Sequence, residues 1–217
     1  MSGRYMRFVP LLLSMWLAGC FGGVGNRVET ALYDLAGVSV ADPVAADVPD
    51  GSGVSPPLLR LAEVQAPVWL GTPAMQYRLA YAEPERRFSF AESRWVAPPA
   101  ELLDSALRRG KIVTRNRFEA DGCQLHVELQ EFIQVFDAPA SSRALMEARV
   151  SLLAPRNARL LAQRSFRQSP SAGADARAGA AGFVVAVRDM GRDLDKWLSG
   201  LQRDKPELMT QCRAGML

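Results

Sequence analysis

Alternating apolar and polar residues predict β-strands along the middle of the chain. The first such segment, residues 75–81, is followed by a turn and by Phe88-Ser-Phe90, which predicts a hairpin. Three later segments have the same period and short turns between them, which predicts an antiparallel meander. Their apolar positions are Leu125, Val127, Leu129, Ile133 and Val135, then Ala144, Met146, Ala148, Val150 and Leu152, and then Leu160, Ala162 and Phe166; Glu131 and Arg164 are the exceptions.

Two segments have features of helices. Pro98 and Gly110 frame the first one, which we expect to end at Arg109. The second has apolar residues at alternating intervals of four and three, which predicts an amphipathic helix that docks onto the sheet. The spacing also suits a coiled coil, but it lasts only about three heptads. The apolar positions are Phe183, Val187, Met190, Leu194, Trp197 and Leu201.

The earlier part of the chain is less regular. Short strands are predicted at residues 29–35 and 58–64. Residues 38–57 between them are rich in Pro, Gly and Asp and predict a flexible loop. The segment 69–73, Trp-Leu-Gly-Thr-Pro, predicts a tight turn that carries an aromatic residue.

The first nineteen residues have the three parts of a bacterial signal peptide. Arg4 and Arg7 precede an apolar run of about a dozen residues, which is shorter than the ~20 that a membrane-spanning helix needs. Leu17-Ala-Gly-Cys20 resembles a lipobox, which implies cleavage before Cys20 and lipid on its thiol. The alternative is an ordinary secretory signal with a chance cysteine. Phe21, in place of Asp, implies delivery to the outer membrane by the usual sorting rule.

This pattern divides the chain into four parts. Residues 1–19 form the signal peptide, and residues 20–29 form a lipidated, glycine-rich tether. Residues 30–201 are long enough for a single domain with one core. Residues 202–217 form a C-terminal tail.

Charge and cysteine content narrow the possible partners. The signal peptide contains two of the 26 basic residues and no acidic residue, so the mature chain has 24 basic residues against 23 acidic ones. This balance is not that of a nucleic-acid-binding protein. Cys123 and Cys212 remain once Cys20 carries lipid, and the oxidising periplasm favours a disulfide between them. The alternative is two buried thiols that never meet.

Candidate chemistry is sparse. His126 is the only histidine and lies at a polar position of its strand, where a solvated side chain is the simplest interpretation. No zinc, nucleophile-elbow or phosphate-loop motif is present, so we expect no metal, no cofactor and no enzymatic activity. An enzyme that uses carboxylates alone is the remaining alternative. Trp69 and Trp95 are candidates for an interface, because tryptophan is enriched there, or for the core of the domain.

The order of motifs resembles the ABC-type transport auxiliary lipoproteins of the PqiC (YmbA) type. The resemblance covers residues 30–201. Trp69-Leu-Gly-Thr-Pro73, Val96 and Pro99 depart from the family pattern. The motifs are Leu17-Ala-Gly-Cys20, Tyr33-Asp-Leu35, Met75-Gln-Tyr-Arg-Leu79, Arg94-Trp95, Ala97-Pro98, Ala180-Ala-Gly-Phe183 and Leu194-Asp-Lys-Trp-Leu198.

The resemblance implies a fold and a role. The fold would be a three-layer α/β/α domain with a mixed sheet, similar to the N-terminal domain of TolB. The role would be a non-enzymatic one in envelope lipid transport, beside MCE-domain proteins and an inner-membrane permease and ATPase.

Three hypotheses follow from this reading. The protein docks a periplasmic MCE assembly at the outer membrane, with Trp69, Leu70, Arg94 and Trp95 as contact residues and with self-association as a further possibility. Alternatively, it is a lipid carrier or chaperone with an apolar cavity. The third hypothesis is a structural envelope lipoprotein of another complex.

We expect Cys20→Ala to leave the protein unlipidated and uncut at this position, because the thiol that receives the lipid is absent. Metabolic labelling with a fatty-acid probe measures this. Equal labelling of the variant and the unsubstituted protein would contradict the lipobox interpretation.

Overall fold

The computed structural model describes residues 29–35, 37–38, 59–110, 113, 122–155 and 157–214. The signal peptide, Cys20 and most of the predicted loop at residues 38–57 lie outside them. The strands are β1 (Ala31–Tyr33), β2 (Arg60–Leu61), β3 (Ala74–Leu79), β4 (Glu83–Trp95), β5 (Gln124–Ala138), β6 (Ser141–Leu153), β7 (Leu160–Gln168) and β8 (Ser171–Ala172). The helices are α1 (Pro99–Arg109), α2 (Ala176–Asp204) and α3 (Pro206–Ala214), and a short 3-10 helix spans Val68–Leu70.

The eight strands form one mixed sheet in the order β1-β4-β3-β5-β6-β7, with β2 beside β5 and β8 beside β6. β1 runs parallel to β4, and both β2 and β3 run parallel to β5. β3 and β4 form the predicted hairpin, and β5, β6 and β7 form the predicted antiparallel meander. The predicted mixed α/β class is therefore confirmed, and the three-layer, TolB-like arrangement stays a prediction.

Strand β5 contains a bulge in its middle. Leu129 pairs with Ala148, whereas Glu131 pairs with Glu147, so Gln130 is an additional residue on the β5 side. An additional residue exchanges the two faces of a strand beyond it, because neighbouring side chains point to opposite sides.

The bulge corrects one part of the predicted pattern. Leu129 lies in the main core, and beyond the bulge Phe132 occupies the same face. Ile133 and Val135 lie on the opposite face, where they form a small separate cluster with Leu145. The prediction that Ile133 and Val135 share a face with Leu129 is therefore wrong, because alternation alone does not reveal a bulged residue.

Helix α2 packs against the centre of the sheet. Its N-cap residue Asp175 accepts a hydrogen bond from the backbone N–H of Ala178 at 2.7 Å, which satisfies one free donor of the first turn. Phe183 stacks on Phe132 with ring centroids 3.9 Å apart, and the Trp95 ring meets both rings edge-on. Buried side chains from all three helices belong to this one core cluster.

The C-terminal tail contains a helix that the sequence pattern did not predict. Lys205 and Pro206 end α2, but proline is favourable in the first turn of a helix, and α3 begins there. Cys212 of α3 forms the predicted disulfide with Cys123, and their Cα atoms lie 4.7 Å apart. The disulfide and the buried Met209 hold α3 against the domain.

Helix α2 lies very close to the side chain of Gln134 at Gly179. A Cβ atom at this position would lie 2.0 Å from Oε1 of Gln134. That side chain has no room to retreat, because it is buried and its Nε2 donates hydrogen bonds to Ser142 Oγ at 2.8 Å and to the Gly173 carbonyl at 3.0 Å. Glycine is therefore required here by the contact between helix and strand.

We expect Gly179→Ala to lower the free energy of unfolding by about 1–3 kcal/mol, as overpacking of a core does. Gly200→Ala is the matched control in the same helix, since no atom lies within 4 Å of the added Cβ. It should raise stability by roughly 0.5–1 kcal/mol, because alanine is the better helix former. Urea unfolding of both variants measures this. Equal stability of the two variants would contradict the close packing at Gly179.

Candidate functional site

Four apolar side chains of β1, of the residue after β4 and of the 3-10 helix are exposed. We call Leu32, Val68, Trp69, Arg94 and Val96 the Trp69 surface; its apolar members are 64%, 89%, 49% and 50% exposed in the order Leu32, Val68, Trp69, Val96. The strand register places Leu32 beside Arg94, and Val96 N–H donates a hydrogen bond to the Tyr33 carbonyl at 2.9 Å. Each of these side chains is therefore presented by an ordered backbone.

The 3-10 helix fixes the position of Trp69. Leu70, 1% exposed, anchors this short helix in the core, while Val68 and Trp69 point outward. The side-chain amide of Gln76 donates a hydrogen bond to the Trp69 carbonyl at 2.6 Å. The turn is thus attached both to the core and to strand β3.

An ion-pair network contacts the Trp69 ring through Arg87. Arg87 donates two hydrogen bonds to the Glu131 carboxylate, at 3.0 and 2.5 Å, and Arg78 approaches the same carboxylate at 3.4 Å. Arg87 also donates to Gln76 Oε1 at 3.0 Å and lies 5.8 Å from the centroid of the Trp69 ring. Glu131 reaches these guanidinium groups because the β5 bulge directs it to the face opposite α2.

A cleft of about 390 Å³ lies beside the Trp69 ring. Its only charged lining residue, Glu128, forms an exposed ion pair with Arg149 at 3.6 Å. A mixed polar and apolar lining suits a peptide side chain better than an acyl chain, which needs an apolar enclosure. The lining residues are Gln65, Ala66, Pro67, Trp69, Glu128 and Gln130.

The four contact residues proposed from the sequence fall into two groups. Trp69 and Arg94 are exposed and belong to the Trp69 surface. Leu70 and Trp95 are only 1% and 2% exposed, so their side chains pack in the core and are not available to a partner. The expectation for these two is corrected, because residue type does not show which neighbour in a strand or turn faces inward.

The other three members of the Trp69 surface were not expected from the sequence. Leu32 and Val96 are ordinary apolar residues, and their exposure follows from the short edge strand β1 and from its register with β4. Val68 is exposed because the 3-10 helix turns it away from Leu70. No local sequence signal marks these positions.

A second group of aromatic residues lies on the other face of the β3–β4 hairpin. The Tyr77 ring contacts the rings of Phe88 and Phe90, with centroids 5.2 and 4.7 Å away. The Arg86 guanidinium lies 4.4 Å from the centroid of Phe88, and Tyr81 at the turn is 48% exposed. We call these five residues the hairpin surface.

The described residues were compared with the requirements of a metal site and of a membrane-spanning helix. Among them, no group of three or more His, Cys, Asp and Glu residues is placed to hold a metal ion. Within the same part of the chain, no helix combines the length and apolarity needed to cross a bilayer. His126 is half-buried and pairs across the sheet with Ser151.

The fold and these surfaces define a disulfide-containing α/β domain that presents apolar contact surfaces. A family model described as the ABC-type transport auxiliary lipoprotein component matches residues 38–194. The chain therefore belongs to the ABC-type transport auxiliary lipoprotein family. This confirms the resemblance seen in the sequence.

One solved structure supports the fold. The crystal structure of protein XCC0632 from Xanthomonas campestris, of the DUF330 family, is 21% identical and superposes with a TM-score of 0.65 over 82% of this chain and 99% of that chain. A crystal structure of an uncharacterized protein is 14% identical over 76% of this chain and 99% of that chain, with a TM-score of 0.49. No curated protein matches the sequence.

We expect Glu131→Gln to destabilise the domain by about 1–3 kcal/mol, because it leaves two part-buried guanidinium groups without their carboxylate. The matched control is Asp137→Asn, also in β5, whose exposed ion pair with Arg143 should contribute less than about 1 kcal/mol. Urea unfolding measures both. A loss at Glu131 no larger than the loss at Asp137 would contradict a supporting role for the network.

Proposed function

We propose that this protein docks the periplasmic end of an MCE assembly at the outer membrane. In this proposal Cys20 carries the lipid anchor, and Phe21 directs the lipoprotein to the periplasmic face of the outer membrane. The inner-membrane permease and ATPase supply the energy, and this chain contributes binding without catalysis. The description of its family as an auxiliary component of ABC-type transport supports this role.

The observation that carries the proposal is the Trp69 surface. Exposed patches of apolar residues on soluble domains commonly mark binding sites, and tryptophan and arginine are enriched among the residues that dominate binding energy. Here both types are held by strands and by a core-anchored turn. Preorganised side chains lose less entropy when a partner binds.

The cleft beside Trp69 favours docking over lipid carriage. Its lining includes Gln65 and Gln130, whose side-chain amides would lose contact with water around an acyl chain. A peptide from a partner offers hydrogen-bonding groups to the same residues. The carrier hypothesis predicts co-purified lipid, so mass spectrometry of the purified protein tests it independently.

We expect Trp69→Ala to weaken binding of the MCE-domain protein at least about tenfold, since truncation of a central interface tryptophan typically costs more than about 1.4 kcal/mol. Arg94→Ala should weaken it less. Val185→Ala is the matched control, because Val185 is an exposed apolar residue on α2, outside the Trp69 surface. Surface plasmon resonance with the purified MCE-domain protein measures all three.

Two results would overturn this assignment. Unchanged affinity of both Trp69→Ala and Arg94→Ala would exclude the Trp69 surface as the docking site. Absence of binding by the unsubstituted lipoprotein would exclude docking itself. Size-exclusion chromatography of the same samples shows whether the surface instead joins copies of this chain.

A further inference from the structure

The direction in which the tether joins the domain is set by strand β1. Ala31 pairs with Ser93 and Tyr33 pairs with Trp95, so β1 runs parallel to the end of β4. The chain before Ala31 therefore leaves β1 on the side of Glu92, and β4 continues from Glu92 towards the β3–β4 turn. The hairpin surface therefore lies on the side of β1 from which the chain leads back towards Cys20.

The tether is long enough to place the anchor beside the hairpin. Residues 20–30 span at most roughly 36–40 Å. Residues 83–92 of β4 span about 30 Å. The hairpin surface is therefore within the maximal reach of the bilayer that holds the anchor.

The hairpin surface has the chemistry of a membrane interface. Tyrosine places an apolar ring among lipid tails and a hydroxyl among headgroups, and arginine extends its apolar stem in the same way. Tyr81 is 48% exposed, and Arg86 lies over Phe88 with its charge in solvent. Glu83 forms an ion pair with Arg86 at 3.0 Å, and Glu85 is exposed, so the contact lies at headgroup depth.

We propose that the hairpin surface rests on the bilayer that holds the lipid anchor and so orients the domain. Arg87, which lies over Trp69, and Phe88 are neighbours in β4 and point to opposite faces of the sheet. Contact through Phe88 and Tyr81 therefore leaves the Trp69 surface free for a protein partner. The inference rests on lipidation of Cys20 in the proposed function and is independent of which protein docks.

Site-specific fluorescence in vesicles tests this orientation. Tyr81→Cys introduces one free thiol, because Cys123 and Cys212 form a disulfide and Cys20 carries lipid. An environment-sensitive fluorophore is attached to this thiol. Two further variants, Lys205→Cys at the α2–α3 junction and Val68→Cys, are labelled in the same way. Each full-length lipidated protein is reconstituted into vesicles of phosphatidylethanolamine and phosphatidylglycerol with nitroxide-labelled lipid, after the mass of its N-terminal peptide confirms the anchor.

We expect the label at position 81 to be quenched at least about twofold more strongly than the labels at 205 and 68, since only interfacial groups approach the nitroxide. Equal quenching at 81 and 205 would overturn the proposal, because the domain would then tumble freely on its tether. Strongest quenching at 68 would place the Trp69 surface on the membrane and overturn it as well. A protein that lacks the N-terminal lipid contradicts the anchor of the proposed function and is recognised by its mass.

Discussion

The additional residue in β5 is the constraint on which both the core and the Trp69 surface depend. Before Gln130 the apolar residues of β5 face the helices, and beyond it Phe132 continues that face and stacks on Phe183 of α2. The same shift directs Glu131 to the other side, where Arg87 binds it and lies over the Trp69 ring. One bulged residue thus joins helix packing on one face to the support of Trp69 on the other, as bulges beside functional sites often do.

The periodic parts of the fold could be predicted from the sequence. The strands of the hairpin and the meander repeat apolar residues at every second position, and α2 repeats them at every third or fourth position. Proline and glycine mark the ends of α1. These patterns are local because each element buries one face. The disulfide could be predicted because the periplasm is oxidising and because Cys123 and Cys212 are the two thiols that remain once Cys20 carries lipid. Helix α3 was not predicted, because residues 202–217 were interpreted only as a tail, although proline, here Pro206, is favourable in the first turn of a helix.

The candidate site was predictable only in part, for a physical reason. Trp69 and Leu70 are adjacent, as are Arg94 and Trp95, and in each pair one side chain is exposed while the other is buried. Which member faces outward depends on the turn geometry and on long-range strand register, and these depend on contacts between residues far apart in the chain. Leu32 illustrates this, since only its pairing with Arg94 places it in the Trp69 surface.

A short tether increases the effect of weak contacts between a domain and the bilayer that holds its anchor. In the proposed arrangement the bilayer is close to the hairpin surface, so its effective concentration is high and a modest affinity for lipid suffices to hold one orientation. A fixed orientation would reduce the rotational entropy of the domain before a partner binds. The entropy lost on formation of the complex would then be smaller. In the proposed orientation the two faces of β4 have separate tasks, because Phe88 would face the membrane and Arg87 lies over the Trp69 ring, which would face the partner. The alternation of side chains along β4 would then place membrane contact and partner contact on opposite faces of one strand.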